Sequence, residues 1–262
     1  MTTTLGGGLV GEWVSWHAER EQELREPYGW LSLAGLHWLG EQAQTFDGIP
    51  GAWSASTRAA RVTATAEEGL VVEDRLLDGS MQLTIHESGS ALFGAHGSVR
   101  LELLRRGGAY GIRARDPRSP VLTSFTGVPA FPVHSRWMVP ATFELYSPPH
   151  VQLTGTAQPG LRRRLEIVGE LRFTVAGTEY TLAATAGAGS SLIVPFSDTS
   201  SGSTTAPWRV LAVRRPRLGR TVLDFNRALN PPSAFTAYGT CPQPPGGNTL
   251  PFAVEAGERA PG

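Results

Sequence analysis

Residues 11–25 (GEWVSWHAEREQELR) place Trp13, Trp16, Arg20 and Leu24 near one helical stripe, with Glu and Arg elsewhere and Pro27 as a stop. This spacing predicts an amphipathic helix. The stretch 28–39 (YGWLSLAGLHWL) is too apolar to be exposed and too short to cross a membrane. It reads as a short strand or helical turn on the core, its Trp residues acting as packing anchors. From 58 to 226, short β-branched runs alternate with Gly, Asp, Ser and Pro breaks, at 60–64, 69–74, 80–86, 99–104 and 110–115, then 137–146, 165–176, 178–184, 191–196, 208–214 and 220–226. Roughly ten strands with turn signals every eight to twelve residues predict an antiparallel barrel or sandwich. With no alternation of strand and helix, a Rossmann sheet is excluded. Segments 183–191 and 197–205 read as loops.

The last forty residues break the pattern. Asn230-Pro231-Pro232, Cys241-Pro242, Pro244-Pro245, Asn248 and Glu258 forbid a helix or a central strand. The prediction is a long Pro/Asn-rich coil whose short polar side chains stand in for missing backbone partners. The whole is expected to be a mainly β single domain over 1–262, with a helical and aromatic segment at 10–40, a β core at 58–226 and the coil at 227–262.

Charge sharpens this reading. The 262 residues carry 23 basic and 23 acidic side chains, a formal net charge of +0, which argues against a dedicated nucleic-acid or membrane-surface binder. Lysine is absent, so every basic residue is Arg. Schiff-base, P-loop and kinase chemistry, which need Lys, are thereby disfavoured. The single Cys241 excludes an intramolecular disulfide and a Cys-pair zinc site. The six histidines are scattered singly, so no metal and no cofactor is expected. Residues 1–14 lack the features of a signal peptide or a membrane span, and a cytoplasmic location is expected.

Candidate chemistry centres on the runs 208–214 and 220–226, read as a hairpin turned by Arg215-Pro216-Arg217-Leu218-Gly219. One register sets Arg209 opposite Asp224 and crowds Arg209, Asp224 and Asn226 at one end. A one-residue slip puts Arg209 and Asp224 on opposite faces. The first register buries the cleaner apolar set. An Arg beside a carboxylate and an amide either holds an anionic ligand or closes a barrel end as an ion pair. Asp198, in Phe196-Ser197-Asp198-Thr199-Ser200-Ser201-Gly202, belongs to a turn or to an anion-binding loop. Arg113 and Arg115 share a strand face and would flank one cavity, and Arg136 is placed to stack on a ring. No nucleophile elbow, zincin motif or P-loop is present.

Three blocks together resemble the bacterial and archaeal domain of unknown function family 1684 (DUF1684). These are Pro27-Tyr28-Gly29-Trp30-Leu31-Ser32-Leu33 with Gly35-Leu36 and Trp38-Leu39; Arg115-Asp116 with Ser119-Pro120, Phe125, Gly127 and Phe131-Pro132; and Phe196, Asp198, Ser201-Gly202, Arg209, Leu223-Asp224-Phe225-Asn226, Asn230-Pro231-Pro232, Cys241-Pro242, Pro244, Asn248 and Ala256-Gly257-Glu258. The chain departs from that pattern twice. Ser233 stands where the family usually has Cys, and Ser203-Thr204-Thr205-Ala206-Pro207 lacks the family's Thr-Tyr. A paired-Cys role and a phenol in the site are therefore not expected.

These features support a small-molecule binding β domain in which Arg209 pairs an anionic group. Asp224, Asn226, Asn230, Asp198 and Arg115 are its further candidate ligand-binding residues. The rival is a cofactor-independent hydrolase or isomerase with Asp224 or Asp198 as general base and Arg209 as electrophilic stabiliser. A third reading is an interaction scaffold. Neither nucleic acid nor membrane is expected as a partner.

Overall fold

The computed structural model describes residues 5–262. Met1–Thr4, part of the 1–14 stretch read as neither signal peptide nor membrane span, lie outside the described residues. Helix α1 (Leu5–Leu24) is the predicted N-terminal helix. Among the described residues, no helix is long and apolar enough to cross a membrane. The chain forms two compact units, Met1–Gln22 with Thr126–Gly262, and Glu23–Phe125.

The unit Glu23–Phe125 holds two antiparallel sheets. Strands β1 (Leu33–Trp38), β2 (Gln44–Phe46), β3 (Ile49–Ala55), β4 (Ala60–Ala64), β5 (Val71–Val72), β6 (Arg75–Leu76), β7 (Gly79–Leu83), β8 (Ser90–His96), β9 (Val99–Arg106) and β10 (Ala109–Arg115) are ordered β1-β10-β9-β8-β5-β6 and β2-β3-β4-β7. The 28–39 stretch becomes a 3-10 turn at Trp30–Ser32 followed by β1. In β4, Ala60, Val62 and Ala64 are buried while Arg61 and Thr63 are exposed, the alternation of a strand covered on one face. Trp53, Ala60 and Val62 from one sheet join Leu101, Tyr110 and Ile112 from the other in a single core, so this unit is sandwich-like.

The second unit is built on one sheet. Strands β11 (Met138–Gly155), β12 (Arg162–Val175), β13 (Thr178–Ala186), β14 (Leu192–Phe196), β15 (Arg209–Val213) and β16 (Arg220–Asp224) run in the order β15-β14-β13-β12-β11-β16, curled as a half-barrel. Its concave side collects Leu171, Phe173, Leu182, Val194, Phe196, Leu211, Leu223 and Phe225, together with Leu250, Val254 and Ala256 from the C-terminal residues. Phe225 meets Phe196 edge-on at 5.5 Å and Trp137 at 6.1 Å.

The predicted hairpin is corrected here. β15 pairs with β14 and β16 pairs with β11, so the two strands stand at opposite ends of the sheet order and Arg209 never faces Asp224. Sequence neighbours joined by a short turn pair only if each lacks a better partner. Here β14 takes β15 and β11 takes β16, each over five residues, and the 214–219 turn bridges the sheet's two ends instead. The barrel stays open between β15 and β16. Into that opening comes residue 229, whose N–H and C=O exchange bonds with Val210 at 2.9 and 2.8 Å.

Candidate functional site

Arg209 is 1% exposed and sits at the first position of β15, opposite Phe196. Its Nη2 donates to Asp198 Oδ2 at 2.7 Å and to the Val254 carbonyl at 2.8 Å. Its Nη1 donates to the carbonyls of Ala256 and, at 3.3 Å, Glu258. The guanidinium lies over the Phe196 ring at 5.4 Å. Burial pulls its pKa below the ordinary value, and the Asp198 carboxylate opposes that pull. All four terminal N–H bonds are thus spent within the chain, three of them on the coil.

Asp198 is held as tightly. Its Oδ1 accepts from the Ser200 N–H at 2.7 Å and from the Ser200 hydroxyl, which lies 3.0 Å from the Thr205 hydroxyl. The Asp-Ser-Gly segment is therefore a turn that aims a carboxylate inward. Both Asp198 oxygens are bonded and its side chain is closed to solvent, so a substrate proton has no path to it.

A second buried group continues this polar layer. Glu258 Oε2 accepts from the Asn230 N–H at 2.6 Å, and its Oε1 lies 3.3 Å from Arg20 Nε on α1. Burial raises the Glu258 pKa, and Arg20 only partly offsets it. Asn230 Nδ2 donates to the Arg259 carbonyl at 2.7 Å, while its buried Oδ1 has no hydrogen-bond partner among the described residues. Gly257 makes this approach feasible. It adopts φ +74°, and a Cβ there would stand 2.6 Å from the Ala228 carbonyl oxygen.

Asn226 and Asp224 form a separate cluster. The Asn226 side chain accepts from His134 N–H at 3.0 Å and donates to His134 C=O at 3.1 Å and to Asp224 Oδ1 at 2.9 Å. Asp224 also pairs with Arg227 at 3.3 Å. Asn248, which sequence reasoning placed only in the coil, bonds the N–H and C=O of Ala183 at 2.7 and 2.9 Å and the Pro195 carbonyl at 2.8 Å. These amides do for the coil what a neighbouring strand would do.

Arg115 belongs to the unit Glu23–Phe125. Arg113 and Arg115 share a strand face, but what they flank is the buried Glu102, at 3.2 and 2.7 Å beneath Trp30, and not the expected cavity. Arg115 also donates to the carbonyls of Tyr28 and Gly29, each at 2.9 Å. Desolvation would raise the Glu102 pKa, but the two guanidinium groups together win and hold it below its usual value.

Open space lies elsewhere, on the outer face of the half-barrel. A groove of about 600 Å³ is lined by Pro140, Thr142, Arg172, Thr174, Glu179 and Arg220. A second of about 570 Å³, lined by Arg136, Trp137, Met138, Pro140, Thr174 and Val175, adjoins it through Pro140 and Thr174. Register explains the set: Thr142 faces Arg220 on one side and Arg172 on the other, and Pro140 faces Val222. Arg172 is neutralised by Glu144 and Glu170, and Arg136 lies over Trp137 at 5.5 Å and 4.0 Å from Glu255. Arg220 has no side-chain partner among the described residues. The sequence signal for this trough was only the alternation Arg220, Val222, Asp224, which is mute until β16 is paired with β11. No group of three His, Cys, Asp or Glu residues able to hold a metal occurs among the described residues.

Comparison with known proteins gives one family and little beyond it. The family described as "Protein of unknown function (DUF1684)" matches residues 123–259. The match contains the 196–258 block and its departures at 203–207 and Ser233, whereas the 27–39 block lies outside it. A solution NMR structure of an uncharacterized protein of Haloarcula marismortui is 29% identical, with a TM-score of 0.44, over 52% of this chain and 78% of that one. A search of curated proteins finds no match. The family match spans just over half of the 262 residues, and the chain belongs to the DUF1684 family.

Proposed function

We propose that this protein is a small-molecule binding β domain whose ligand is an amphipathic anion lying in the outer trough of the half-barrel, with Arg220 as its ion partner. One observation supports this above all: Arg220 is unpaired at the mouth of an open groove, whereas Arg209 has every terminal N–H committed to the fold. Met138 and Pro140, with the partly buried Val175 beside them, offer apolar surface, and Arg220 and Arg136 offer charge. A concave, mostly apolar site with few polar groups is the usual form of a small-molecule site. In this reading Arg209, Asp198, Asn230 and Glu258 seal the coil onto the sheet and touch no ligand. The hydrolase or isomerase reading is weaker because the Asp198 carboxylate is closed off from solvent and Asp224 is paired with Asn226 and Arg227 rather than with Arg209.

The probe is 1-anilinonaphthalene-8-sulfonate, an aromatic body carrying one sulfonate. Its fluorescence is expected to rise on titration with the native protein, and Arg220→Ala is expected to weaken that binding about tenfold, a loss of about 1.4 kcal/mol. Circular dichroism of the variant should be unchanged. Equal binding by both proteins would sink the assignment.

A further inference from the structure

The turn 214–220 (RRPRLGR) carries four Arg and no acidic residue, the highest net positive charge of any seven-residue stretch in a chain whose net charge is zero. Arg214, Arg215, Arg217 and Arg220 are all exposed, and none has a side-chain hydrogen bond or ion pair among the described residues. At the apex, Arg217 and Arg220 exchange backbone bonds at 2.9 and 3.0 Å, closing a two-residue turn on Leu218 and Gly219. Leu218 is 102% exposed and adopts φ +49°. A left-handed branched residue is sterically disfavoured, and turns of this kind select Asn or Gly at that position. Leu218 therefore breaks two local rules at once, exposing an apolar side chain from a strained backbone without any packing in return. Such an outlier points to a role outside folding.

We propose that this turn docks the protein on an anionic lipid surface, Leu218 entering the acyl boundary while the surrounding guanidinium groups bind headgroup phosphates. Charge complementarity selects the partner. A basic patch beside an apolar tip combines electrostatic attraction to anionic headgroups with a small apolar insertion, the two contributions that hold a peripheral protein on a membrane. A fluid acyl layer also needs no shaped pocket for a single protruding Leu, unlike a folded protein surface. RNA would satisfy the guanidinium groups but leave the fully exposed Leu218 without an apolar partner, which disfavours RNA. The zero net charge argues against attraction of the whole molecule, and here the charge is local. The inference does not depend on what occupies the trough.

The test is co-sedimentation of the full chain with vesicles of equal parts phosphatidylcholine and phosphatidylglycerol, against pure phosphatidylcholine vesicles. Binding is expected only to the anionic vesicles, and it should fall with added salt. Each guanidinium near the surface contributes roughly fivefold, so combining Arg214→Glu, Arg215→Glu and Arg217→Glu should cost at least a hundredfold. Arg220 is retained in that variant so that the trough is untouched. Leu218→Asn should weaken vesicle binding several-fold and yet raise the melting temperature, because Asn tolerates the left-handed conformation. Equal sedimentation with both vesicle types, or binding unchanged in these variants, would overturn the proposal. Retention on immobilised polyglutamate without any vesicle binding would also overturn it, in favour of an acidic protein partner.

Discussion

Arg209 shows how a residue that resembles a ligand-binding group can be consumed by the fold. Burying a guanidinium is costly, and it is tolerated here because Asp198 and three coil carbonyls satisfy its donors. Arg209→Ala leaves the Asp198 carboxylate buried beside an empty volume, so chemical denaturation should show a loss of about 3–5 kcal/mol. Anilinonaphthalenesulfonate affinity, measured below the denaturation midpoint, should stay the same. Weakened probe binding in a fully folded Arg209→Ala protein would return Arg209 to the ligand site. Glu102 makes a prediction in pH. Its folded pKa lies below the ordinary 4.5 because Arg113 and Arg115 overcome its desolvation. The unfolded chain therefore takes up the proton first, and the stabilisation is fully present above about pH 4.5 and lost as pH falls through the folded value. Glu102→Gln should flatten the acid limb of stability against pH, and an unchanged limb would show that other carboxylates dominate it.

Among the elements, local pattern and long-range pairing were unequally legible. α1 and β4 were readable from helical spacing and strand alternation, and β9 and β10 as short runs closed by the Gly107-Gly108 turn and by Pro117. β2, β3 and β8 were not readable: Ile49–Ala55 contains Pro50 and Gly51, and Ser90–His96 is largely exposed, so neither carries a strong apolar alternation. The predicted partnership of 208–214 with 220–226 failed because turn chemistry reports that the chain reverses, not which neighbour each strand finally takes. The same error placed Arg209 beside Asp224. The shared face of Arg113 and Arg115 survived, because alternation within one strand is a local property, although the group between them is Glu102 rather than a cavity. The expected task of the coil's amides is seen in Asn248, whose bonds replace strand partners.

For the whole molecule, the two compact units each carry a core. Every residue of the core built on Trp53, Tyr110 and Ile112 lies between Glu23 and Phe125. That segment is also continuous in sequence, as a separately folding unit should be. Residues 23–125 produced alone are expected to unfold cooperatively on heating, with a near-ultraviolet circular dichroism signal from packed aromatic residues. A flat signal would show instead that one folding domain spans the chain. The other unit assembles from residues of both ends, since α1 supplies Arg20 to Glu258 and Trp13 donates to the Asn226 carbonyl at 2.7 Å. The outer face of the half-barrel carries two open grooves and Arg220, which has no side-chain partner among the described residues. The most direct test is the anilinonaphthalenesulfonate titration of the native protein beside Arg220→Ala. Saturable binding weakened about tenfold by the substitution is the predicted result, and identical binding curves, or no binding by the native protein, would contradict it.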